Sequence, residues 1–98
     1  MRVSVVCGHK ELAQAFARRM QREFAAHGIA SETDALTPQD VRGSAGSYDV
    51  HVLAPEVAFL EREVAASCRA RVWVMPPQDF RRLNTKKVAN DIALLMGA

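Results

Sequence analysis

Apolar positions along this chain switch between two periods. Arg2 to Cys7 is β-branched and nearly uniformly apolar after its first residues, the pattern of a parallel strand covered on both faces. From Glu11 to His27, Leu12, Phe16, Met20 and Phe24 recur every fourth residue while Arg18, Arg19 and Arg22 face elsewhere, which predicts an amphipathic helix. His27-Gly28 ends it, because glycine tolerates the left-handed conformation common just past a helix. Ile29 to Ala35 alternates as a half-buried second strand. Thr37-Pro38-Gln39-Asp40 sets a hydroxyl cap before a proline, predicting a short helical turn, and Gly43 to Ser47 reads as a surface loop. Tyr48 to Ala54 returns to strand composition, and Pro55 opens a helix with the apolar stripe Val57, Leu60, Val64 and Cys68. Arg71 to Met75 is the fourth strand, stopped by Pro76-Pro77. A turn at Gln78 to Arg82 follows, and Asn84 caps a last helix that buries Val88, Ile92 and Leu95.

Strands alternating with helices imply an α/β fold: a flavodoxin-like open sheet of four parallel strands, order 2-1-3-4, with right-handed crossovers and helices on both faces. Ligands of such sheets sit beyond the carboxyl ends of the strands, where the winding direction reverses between strands one and three. Cys7 falls at that edge.

Composition narrows the function. The 98 residues are expected to form one domain, 1–98, and an apolar fraction of 49% is enough for a core without metal or disulfide staples. Basic and acidic residues nearly balance, 13 against 11, and 6% aromatic content offers no stacking platform among the positive charges, so nucleic acid is a poor partner. Cys7 and Cys68 lack the spacing of a metal or redox pair, and neither a metal nor an organic cofactor is expected. There is neither a signal-peptide pattern nor an apolar run of bilayer length, so a cytoplasmic protein is expected.

A cysteine that ends a buried strand just before a helix lies beside backbone amides and the positive end of the helix dipole. Those surroundings lower a thiol from about 8.5 to roughly 3.5–7.5, and the expectation is a nucleophilic thiolate at neutral pH. The same amides would cradle a phosphate, so one turn supplies both a nucleophile and an anion site. The competing reading is a cysteine that merely packs, since free cysteine is among the most buried residues.

The order of elements and three stretches resemble the lactose/cellobiose-type IIB components of the bacterial phosphoenolpyruvate-dependent sugar phosphotransferase system. The stretches are Val5-Val6-Cys7, Tyr48-Asp49-Val50 through Leu53-Ala54-Pro55-Glu56-Val57, and Met75-Pro76-Pro77-Gln78-Asp79-Phe80 leading to Leu83-Asn84-Thr85-Lys86-Lys87-Val88. The resemblance implies a protein-cysteine phosphotransferase in which Cys7 accepts phosphate from a histidine of a IIA phosphodonor and passes it to a sugar bound by a membrane IIC permease. It also implies a phosphate site formed by Gly8, His9, Lys10, Glu11, Leu12 and Ala13. Family members usually follow the cysteine with glycine and hydroxyl residues, whereas this loop has none of the hydroxyls; Glu56 stands where the family often has glutamine. The alternative is a IIB-like interaction or regulatory domain that has lost phosphoryl transfer.

Other groups have plainer expectations. His51 is expected to be a satisfied structural residue, His27 a helix C-terminal cation and Cys68 a packing residue. A cysteine phosphatase would carry an arginine clamp at the position of Ala13, and a flavin site would need loop hydroxyls; both readings are set aside.

Overall fold

The computed structural model describes all residues, 1–98. Its strands β1 (Arg2–Val6), β2 (Glu32–Leu36), β3 (Val50–Leu53) and β4 (Arg71–Val74) form one sheet in the order β2-β1-β3-β4, and every pairing is parallel. This is the expected flavodoxin-like arrangement. The chain moves one way from β1 to β2 and the other way from β2 through β3 to β4. Right-handed crossovers therefore put α1 (Lys10–Ala26) on one face and α2 (Pro38–Ser44) and α3 (Glu61–Ser67) on the other, while α5 (Thr85–Leu95) returns to pack beside α1.

Alternation along β1 and β3 assigns their side chains. Val3 and Val5, with register partners Val50 and Val52, share one face; Ser4 and Val6, paired with His51 and Leu53, share the other. All eight are buried, and they pack with Phe16, Met20 and Phe24 of α1 and Ile92 of α5 at the centre of the molecule. The polar pair is satisfied: His51 Nε2–H donates to the Ala45 carbonyl at 2.8 Å, which leaves Nδ1 to accept the Ser4 hydroxyl at 2.6 Å. His51 is the structural residue expected of it, and burial holds its imidazole below the ordinary histidine value.

The remaining differences from the sequence reading have local causes. β2 begins at Glu32 rather than Ile29 because Ile29 belongs to the end of α1: its amide donates to Phe24 O at 2.8 Å and that of Gly28 to Ala25 O at 3.0 Å, with Gly28 at φ +71°. The stretch expected as a surface loop stays coiled, α2 running to Ser44 and a 3₁₀ turn over Ala45–Ser47 that buries Ala45. Thr37 and Asp40 form a reciprocal capping box at the start of α2, as the proline and hydroxyl suggested. The helix opened by Pro55 is split: a 3₁₀ segment, Pro55–Leu60, is broken at Val57 (φ −113°) before α3 begins, and Cys68 follows α3 half-buried, its thiol donating to Val64 O at 3.3 Å. The expected turn after Pro76-Pro77 is a short helix, α4 (Pro77–Arg81). Asn84 precedes α5 but does not cap it with its side chain; it donates instead to buried Asp79 at 3.1 Å, which also receives Lys87 Nζ at 2.8 Å. No helix is long and apolar enough to cross a membrane.

Candidate functional site

The candidate site lies where β1 and β3 end side by side. Cys7 directly follows β1 and is held in the ladder, its amide donating to Leu36 O at 3.1 Å, while Ala54 N donates to Val6 O at 2.9 Å from the β3 side. The sulfur thus starts from the best-braced backbone at the carboxyl edge. Gly8 and His9 make the whole connection to α1, which starts at Lys10, one residue earlier than expected. The short turn points the His9 amide back at the sulfur, N to Sγ 3.4 Å.

The helix start decides which amides are available. Ala13 N–H closes the first helical turn on His9 O at 3.0 Å and its side chain is buried, so Ala13 takes no part in a cradle through its amide, contrary to the expectation. The amides of Lys10, Glu11 and Leu12 have no backbone acceptor, as the first turn of a helix requires, and neither has that of Gly8 in the turn before it. Together with His9 they are the donors this edge offers to an anion. Among the side chains, His9 and Glu11 are exposed, Leu12 packs partly against the core, and Lys10 leans toward Asp40 at 3.9 Å.

One residue from across the sheet completes the site. The 3₁₀ segment after β3 carries Glu56 over the Cys7-Gly8 turn, and the thiol donates to Glu56 Oε1 at 3.0 Å. Its other oxygen stands near Gly8, 3.5 Å from where a β-carbon on that residue would lie. The Cys7 residue is 0% exposed, whereas Glu56 is itself exposed, so the carboxylate forms the outer wall of the sulfur's surroundings.

This wall overturns the expected low thiol value. Cys7 is raised from an ordinary 9.0 to about 11, first by burial, which penalises the anion, and then by the Glu56 carboxylate, which accepts the thiol hydrogen and repels the thiolate. The His9 and Gly8 amides pull the other way and do not prevail. The resting group at neutral pH is therefore a thiol. Glu56 lies at the helical start the sequence predicted after Pro55, and what the sequence withheld is its contact with the sulfur.

The basic residues near the last helix are partly spoken for, since Lys87 bridges Asp79 and, at 2.9 Å, Asp91. A surface cleft away from Cys7 is lined by His27, Asn84, Lys86, Lys87 and Asn90.

No protein-family model matches the chain. No curated protein matches it in sequence. Among solved structures it is similar to the lactose-specific IIB component domain of the phosphoenolpyruvate:carbohydrate phosphotransferase system from Streptococcus pneumoniae, with a TM-score of 0.80 and 16% identity, covering 94% of this chain and 93% of that one. The IIB-type fold expected from the sequence is therefore the fold of this chain.

Proposed function

We propose that the chain is a cytoplasmic phosphocysteine carrier of a sugar phosphotransferase system. In this reading Cys7 takes a phosphoryl group from a phosphohistidine of a IIA protein and hands it to a sugar bound by a membrane IIC permease. The observation that carries the proposal is the position of Cys7 within a IIB-type fold: a braced strand end facing a two-residue turn, with the His9 amide at 3.4 Å and the amides of Gly8, Lys10, Glu11 and Leu12 lacking backbone acceptors. Phosphoryl transfer asks for in-line positioning and for donors around the equatorial oxygens more than for elaborate side-chain chemistry, and main-chain amides at a helix start are such donors. Loss of the loop hydroxyls leaves that main-chain set in place.

The test is incubation with a phosphorylated IIA protein from the same source, followed by intact and peptide mass measurement. An added phosphate confined to Cys7, absent from Cys7→Ser, is the expected result. No transfer from the matched donor would overturn the carrier reading.

A second reading, a IIB-like interaction or regulatory domain without transfer, is favoured by one observation: the sulfur is buried and hydrogen-bonded to the Glu56 carboxylate, and burial first and Glu56 second push the thiol up. The same mass experiment separates the two.

A further inference from the structure

Of the charged groups near the sulfur, Glu56 is the one in contact with it. Lys10 turns to Asp40, and His9 and Glu11 are exposed on the start of α1. Glu56 reaches the reacting atom itself, with Sγ donating to Oε1 at 3.0 Å. A carboxylate fixed there would repel an arriving phosphoryl group, and a buried thiol would be a weak nucleophile; each difficulty is removed if the thiol's proton goes to the carboxylate as the new bond forms.

Resting on the carrier reading, we propose that Glu56 is a catalytic residue of this protein, the general base that receives the Cys7 proton during phosphorylation. The donor ring, protonated on its second nitrogen, leaves as neutral imidazole when its N–P bond breaks and that electron pair stays on nitrogen. The sulfur's pair forms the S–P bond, and the S–H proton moves along the existing hydrogen bond to Glu56 Oε1. Phosphocysteine and a neutral Glu56 result, with atoms and charge conserved. The neutral carboxyl then has an O–H to offer a phosphoryl oxygen in place of a negative charge. A glutamine at this position would accept the thiol's hydrogen bond but take no proton.

Two readouts with opposite signs test this, in a Cys68→Ser background so that only Cys7 reports. Replacing Glu56 by glutamine removes a unit charge 3.0 Å from the sulfur, about one pK unit in a water-like dielectric, so alkylation of Cys7 by iodoacetamide at neutral pH should rise about tenfold. Phosphoryl transfer from the phosphorylated IIA protein should instead fall on the order of 100-fold, the usual worth of a positioned base. Glu56→Ala should shift both readouts in the same directions. Transfer that is undiminished or faster in Glu56→Gln makes the carboxylate a mere shield and overturns the inference while leaving the carrier reading intact. Alkylation that does not rise shows that Glu56 does not hold the thiol proton and overturns it as well. A wild type that takes no phosphate from its matched donor overturns both.

Discussion

Ser4 and His51 bridge β1 and β3, the two strands whose ends carry Cys7 and Glu56, and removing the bridge has a calculable cost. Ser4→Ala deletes the hydroxyl that donates to His51 Nδ1 at 2.6 Å, leaving a ring nitrogen without a partner at a residue 0% exposed. An unsatisfied buried polar group costs about 1–3 kcal/mol. In a domain of this size each kcal/mol lowers Tm by roughly 4–8 °C, so the loss is plain in a thermal melt. Adding His51→Leu removes the orphaned group, and because apolar replacement of both partners is far cheaper than removal of one, the double variant should fall short of the summed single losses by about 1 kcal/mol. The histidine also gives the bridge a pH signature. Its folded value is depressed below the ordinary 6.5, so between the two values the unfolded chain binds the extra proton. The stability linked to keeping the buried ring neutral is complete above 6.5 and declines as pH falls through and below it, and this part of the slope should vanish in both variants that lack His51. Urea melts of the wild type and three variants at neutral and mildly acid pH read all of these effects. A Ser4→Ala protein within about 0.5 kcal/mol of wild type would refute the reasoning.

Gly28 sits at φ +71° with nothing near its missing side chain, so Gly28→Ala should cost about 1 kcal/mol through backbone strain alone, and unchanged denaturant midpoints would contradict that. Lys87→Met removes the cation whose hydrogen bond chiefly lowers the buried Asp79 carboxyl. Because a depressed carboxyl contributes stability above its unfolded value that is lost as pH falls, the variant should melt lower at neutral pH and the gap from wild type should close in acid; a gap that stays the same at every pH would sink the assignment.

The sheet was legible because its signal is redundant. Uniformly apolar strands between amphipathic helices leave few ways to order four parallel strands, and Cys7 falls at the switch point by counting alone. The misread boundaries are those where a residue serves a neighbour rather than its own pattern: Ile29 looks like strand but closes the Schellman end of α1. Val57 fits a helical stripe and is buried, yet its backbone leaves the helical region. The thiol was misjudged for a related reason. Proximity to a helix start is visible in sequence, whereas a carboxylate 49 positions away is brought to the sulfur by the pairing of β1 with β3. Ala13 shows how fine the margin is, since a helix starting one residue earlier converts a free amide into a spent one.

Because the Cys7 amide is tied to Leu36 and the preceding carbonyl to Ala54, the main chain under the sulfur has little freedom, and any adjustment to an arriving group, with the thiol's hydrogen bond kept, falls to the exposed Glu56 side chain. Exposed side chains change rotamer in picoseconds to nanoseconds, far faster than lids or hinged lobes move. The cover is a rotor rather than a door, so turnover at this centre would be paced by encounter and bond-making, with no slow opening step ahead of them.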